Sequence, residues 1–87
     1  MDVKYVVTKS SGNEAVVVFS ELITHSEMVR RDAAVSAGFA SIYKDEKGEL
    51  TASCWGHSVS LGMLKSRGDV DAELIKKQIL LLGREYW

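Results

Sequence analysis

The stretch covering residues 35–54 constrains this fold most. Two strand-like runs, residues 35–44 and 49–54, are broken only by Asp45-Glu46-Lys47-Gly48, a polar cluster ending in glycine. That combination predicts a β-hairpin. With residues 45–48 as the loop, Lys44 faces Glu49. Tyr43, Ser41, Phe39 and Ala37 then oppose Leu50, Ala52, Cys54 and Gly56 on one side, and this mainly apolar side is expected to be core. Ile42, Ala40, Gly38 and Ser36 oppose Thr51, Ser53, Trp55 and His57 on the other. A slip of one residue would exchange the two faces, because side chains alternate along a strand.

The flanking segments supply partners for this hairpin. In residues 3–8, Val3, Tyr5 and Val7 alternate with Lys4 and Thr8, the period of a half-buried strand. Residues 9–13 form a turn cluster, and residues 15–19 are a largely β-branched run expected to be more buried. Thr24 with Glu27 fits a capping box, and Ile23 with Met28 fits a hydrophobic staple. These place a helix over about residues 25–32, too short to stand alone. Asp69 or Asp71 opens a last helix whose stripe is Ala72, Ile75, Ile79 and Leu82, widened by Leu74. Its early acids and the following Lys76 and Lys77 suit the helix dipole. Gly83 is the expected stop, leaving Arg84-Glu85-Tyr86-Trp87 as a tail.

The order is ββαββα. The fold class expected is α+β: a mostly antiparallel sheet of about four strands, with the short helix and the longer C-terminal helix packed on one face. The expected core is Tyr5, Val7, Val17, Phe19, Met28, Phe39, Leu50, Cys54, Ile75, Ile79 and Leu82. Residues 58–64 allow two readings. They either prolong the fourth strand, placing Val59 and Leu61 on the face of Trp55, or turn to the core through a bulge at Gly56. There is no proline, so element ends must be read from Gly, Asp, Asn and Ser.

The 87 residues are enough for one domain and too few for two. With 46% apolar and 26% charged residues the composition is that of a globular chain. The net charge of -1 offers no basic field for phosphates, so nucleic-acid binding ranks third among the functional readings. One cysteine permits no internal disulfide. The start of the chain lacks the pattern of a signal peptide, and the apolar run of residues 79–82 is too short for a membrane span, so a cytoplasmic protein without membrane association is expected.

No motif assembles a catalytic site. Cys54-Trp55-Gly56-His57 could give two zinc ligands, but a structural site needs four, and only His25 and carboxylates are left to complete it. Neither a metal nor a cofactor is expected. A Cys54–His25 nucleophile pair lacks an adjacent oxyanion-type turn, and Gly-x-Ser-x-Gly and phosphate-binding glycine patterns are absent. A small-molecule or hydrolytic site gathering Cys54, His57 and His25 is therefore the alternative reading. His25, in the first turn of the short helix, reads as a solvated or capping imidazole. Arg67-Gly68-Asp69 spells an adhesion tripeptide, but a turn and a helix cap account for it.

Trp55 carries the leading reading, a non-enzymatic protein-interaction module. In the expected register its ring covers Gly38, ringed by Ser36, Ser53 and His57. This is either an exposed anchor or a second core under another element. Tyr86 and Trp87 pose the same choice: they fold back on the sheet or pair with another subunit, so a homodimer is one form of the interaction. Residues 35–39 (Val-Ser-Ala-Gly-Phe), and residues 55–62 running on to Lys65-Ser66-Arg67, resemble small proteins of unknown function from bacteriophage and prophage genomes. That resemblance implies a compact accessory protein that binds a host or phage protein.

Overall fold

The computed structural model describes the backbone of residues 2–86 and the side chains of residues 2–79. Strands β1 (Asp2–Ser10) and β2 (Asn13–Phe19) form the first hairpin. Its turn is only Ser11 and Gly12, with φ of 52° and 82°. Two left-handed residues in succession match the twist of the flanking strands, so both strands run longer than their apolar cores alone suggest. The chain then passes through helix α1 (His25–Met28) and a 3₁₀ turn (Arg31–Ala33) into β3 (Ala34–Lys44). Strand β4 (Leu50–Trp55) completes an antiparallel sheet in the order β2-β1-β3-β4. A small ribbon, β5 (His57–Ser58) with β6 (Leu64–Lys65), leads to helix α2 (Asp69–Tyr86). The α+β class and the antiparallel sheet are as expected, with the small ribbon in addition.

The sheet carries apolar side chains on both faces, and each face needs its own cover. One core holds Tyr5, Val7, Val16, Ala40 and Ala52 under Ala72 and Ile75 of α2. The other holds Val6, Phe19, Ala34 and Ala37 with Leu61, joined by Ile23 and Val29 from the α1 region. The two helices therefore lie on opposite faces, not on one. A bulge in β3, where Ser36 pairs with Val7 but Ala34 pairs with Thr8, turns Ser36 toward α2 and Ala34 toward the second core.

The second hairpin closes one residue tighter than expected. Asp45 N–H donates to Glu49 O at 2.9 Å, so Asp45 and Glu49 are paired and the loop is residues 46–48. Asp45 Oδ1 accepts from Lys47 N at 2.9 Å and Glu49 N at 3.0 Å, and Gly48 takes φ 79°. Three-residue hairpins are built this way, with glycine in the left-handed position. Lys44 consequently faces Leu50, and Phe39, not Gly38, faces Trp55. The slip inverts the faces: Ile42, Ala40, Ala52 and Cys54 point to α2. Tyr43, expected in the core, is 45% exposed, and Leu50 at the hairpin tip is 39% exposed.

Other expected core residues divide. Tyr5, Val7, Phe19 and Ile75 are buried, and Val17, Phe39, Cys54 and Ile79 are half-buried. Met28 is exposed because α1 ends there and Val29 turns inward instead. Leu82 lies outside the described side chains. Helix α2 continues through Gly83, which does not end it. An interior glycine costs only about 1 kcal/mol, too little to stop a helix with no proline behind it. Among the described residues no helix is long and apolar enough to cross a membrane.

Candidate functional site

The face under α2 is closed by a polar cluster that sequence reasoning missed. Asp71 is fully buried and accepts four hydrogen bonds. The Tyr5 hydroxyl donates to Oδ2 at 2.5 Å and Arg67 N–H at 2.9 Å. Ser36 Oγ donates to Oδ1 at 3.0 Å and Arg67 Nε at 2.8 Å. The rest of the Arg67 guanidinium grips Glu14 on β2 through two bonds of 3.1 and 2.8 Å. The Ser66 hydroxyl lies 2.6 Å from the Tyr5 oxygen and accepts from Gly68 N at 3.0 Å. Burial alone would push the Asp71 pKa up, but the bonds from Tyr5 and Arg67 outweigh it and hold the carboxyl below its usual range. Burial, reinforced by the Asp71 charge, raises the Tyr5 phenol well above its ordinary value.

This cluster ties β1, β2 and β3 to the start of α2. Its central groups, Tyr5, Ser36 and Asp71, have no exposed surface, so it is a clasp and not a reaction centre. Its signal was in the sequence: Asp71 stands four residues before Ile75 on the buried stripe of α2, where an unpaired acid would be costly. Cys54 lies on this same side, and burial followed by the Asp71 charge pushes its thiol up to about 11. The thiol is therefore protonated and a poor nucleophile at neutral pH.

The opposite face is open. His25 is buried rather than solvated, 4% exposed, with its ring edge-on to Phe19 at 5.3 Å and Phe39 at 6.0 Å between centroids. Its Nε2 lies 2.9 Å from Gly38 O. A carbonyl can only accept, so Nε2 carries the proton and donates. Burial lowers the His25 pKa, against the opposing pull of that bond, and nearby Lys4 lowers it further.

Past Trp55 the chain turns sharply at Gly56, where φ is 81°, and the ribbon folds back over β3. Leu61 is then inserted into the second core at 1% exposure, leaving Val59 and Met63 outside. This decides between the two readings of residues 58–64: neither a prolonged strand nor burial of the whole set, but a separate ribbon anchored by Leu61. Its loop is held by Leu61 N–H donating to Ser58 Oγ at 3.2 Å and tied to α1 by Ser26 N–H donating to Ser60 Oγ at 3.1 Å.

Between α1 and this ribbon lies a cleft of about 330 Å³. His25 and His57 both line it, with Lys4, Phe39, Ser58 and Ser60. Cys54 does not, since it lies across the sheet, so the expected trio of Cys54, His57 and His25 does not assemble. The cleft reaches the edge hairpin at Phe39 but Trp55 does not line it. Trp55 is 45% exposed there, on the same face as Ser53 and Tyr43, whose hydroxyls are 3.3 Å apart. Ser36, expected beside Trp55, instead faces Asp71. Gly38 is central in β3, where a Cβ would collide with the Trp55 carbonyl oxygen, so this position holds the hairpin closed rather than forming a surface. The Tyr86 side chain and Trp87 lie outside the described residues.

No family model, curated protein or solved structure matches this chain.

Proposed function

We propose that this domain is a protein-interaction module that presents the outer edge of β4 and its aromatic face to a polypeptide partner. One observation carries the reading: Trp55 and Tyr43 are each 45% exposed on the same face of the edge hairpin. Among the described residues the elements covering that face pack chiefly on β1 and β3. Large aromatics at a sheet edge suit such a role, because tryptophan and tyrosine anchors supply much of the energy of protein interfaces and an edge strand can accept a further strand. The edge itself is uncharged from Leu50 to Trp55, without the lysine or proline that protects edges from pairing. The other edge strand, β2, carries Glu14, which is engaged by Arg67. The resemblance of residues 35–39 and 55–67 to small phage proteins makes a host or phage protein the expected partner, and a second copy of the chain is the competing occupant.

Affinity capture from a lysate tests this, with wild type, Trp55→Ser and Leu22→Ser as baits, each checked for folding by circular dichroism. Leu22 is 91% exposed and remote from β4 in sequence, which makes it a fair control. The expected result is a protein retained by wild type and Leu22→Ser and lost by Trp55→Ser. Equal capture by all three baits, or by none, overturns the proposal.

A further inference from the structure

We infer that the cleft between α1 and the β5–β6 ribbon binds a small organic carboxylate with an apolar body. Ligand sites are mostly apolar concavities holding a few convergent polar groups, and a volume of about 330 Å³ lies at the small end of their range. Here Phe39 and Val59 supply apolar surface, and Phe39 is braced by the edge of His25. The polar groups combine one cation with an imidazole and hydroxyls, and none is an acid. Lys4 Nζ donates one proton to Ile23 O at 3.0 Å, which leaves two N–H bonds on a cation at the cleft wall. His57 is exposed at the opposite wall, with Lys65 paired to it across the ribbon. The hydroxyls of Ser58 and Ser60, 3.3 Å apart, lie beside it. No carboxylate lines the cleft. The nearest acid of the α1 turn, Glu27, is turned back to accept from Thr24 N at 3.3 Å.

The balance of these groups selects the ligand class. A lone ammonium without an arginine fork suits a single negative charge better than a polyphosphate. The largely apolar wall favours a ligand with a hydrocarbon body over a bare ion. His25 takes no direct part in recognition, because its Nε2 proton is committed to Gly38. It fixes the floor against which the body rests.

The test is a titration of the ¹⁵N-labelled full chain followed by amide chemical shifts. Benzoate is the probe, with neutral benzamide and inorganic phosphate as comparison ligands. Benzoate is expected to give saturable shifts confined to Lys4, residues 24–26, Phe39 and residues 57–60. Benzamide should bind about tenfold more weakly or worse, since a charge-assisted hydrogen bond is lost. Lys4→Gln should weaken benzoate to a similar degree, and Lys4→Arg, which keeps the charge and the donors, should restore it. His57→Ala, at an exposed position, should weaken it less. Tyr43→Ser, four residues along β3 from Phe39, should leave it unchanged, which separates this site from the interaction face. Benzamide binding as well as benzoate, phosphate binding more tightly, or shifts scattered without saturation would each overturn the inference.

Discussion

The two faces of the sheet are closed by opposite strategies. On one, a long helix lays a continuous stripe over the sheet, and its first turn is locked by a carboxylate whose acceptor positions are filled by Tyr5, Ser36 and Arg67. On the other, the cover is made of short pieces: a four-residue helix, a 3₁₀ turn and a ribbon with two residues per strand. None of these is stable alone, and each depends on one or two inserted side chains, His25 and Leu61 above all. Patchwork cover leaves the larger gap: the cleft beside α1 is about 330 Å³, against about 200 Å³ for the one between β2 and α2. The cleft and the half-exposed aromatics of the edge hairpin both lie on the face with the weaker closure.

The largest effect is expected at Asp71. Asp71→Ala removes the buried acceptor of Tyr5, Ser36 and Arg67 Nε, leaving the guanidinium with Glu14 and Tyr5 with Ser66, and should cost about 3 kcal/mol in urea unfolding. A loss below about 1 kcal/mol would mean that the clasp does not hold α2 to the sheet, and the contrast between the faces would fail.

Acid should separate the faces in sequence. His25 has a lowered pKa in the folded protein, chiefly through burial, so the unfolded chain takes up its proton first. Its contribution is complete above the unfolded value of about 6.5 and is lost as pH falls below it. Asp71 is also lowered, but from an unfolded value of about 3.9, so its contribution survives until far more acid conditions. Amide exchange measured from pH 7 down to pH 3 should therefore show α1 and the ribbon loosening first, while β1 and the start of α2 stay protected. Simultaneous loss of protection on both faces would break the comparison.

Leu61→Ala comes next. Leu61 is the large apolar residue that the ribbon buries fully in the core, and truncation of such a leucine costs about 2–5 kcal/mol. The loss should appear mainly as local opening of residues 57–65 in hydrogen exchange, with the sheet under α2 retained. Uniform destabilisation would show instead that the ribbon is integral to the fold.

The contrast also explains what was legible in the sequence. Period-two and helical patterning mark out the strands and α2, because burial on a regular element leaves a regular trace. The register of the second hairpin was not legible from that trace. It depends on whether Asp45 is the last paired residue or the first loop residue, and the deciding hydrogen bonds from Lys47 N and Glu49 N to its carboxylate have no periodic signature. One residue of error there exchanged the faces and set Gly38 beside Trp55. The clasp was half legible: an acid sits on an apolar stripe, but its partners come from β1, β3 and the turn at Arg67, distant in sequence except for the last. The cleft was least legible, since it is the space left between two short covers. Only His57 and His25 were singled out beforehand, and they were grouped with a cysteine on the wrong side of the sheet.

The smallest stability effect expected belongs to the residue with the largest proposed functional effect. Trp55 is paired with Phe39 across the hairpin but is nearly half exposed, so Trp55→Ser should remove one cross-strand side-chain pair and cost about 0.5–1 kcal/mol. Its thermal unfolding should stay cooperative, and its far-ultraviolet circular dichroism should match the wild type. A cost of about 2 kcal/mol or more would place Trp55 among the core residues of the open face and remove the reason for treating it as an anchor. A cost within the expected range, together with loss of a captured partner, would separate the two roles: Leu61 and His25 hold this face together, and Trp55 keeps nearly half of its surface exposed for binding.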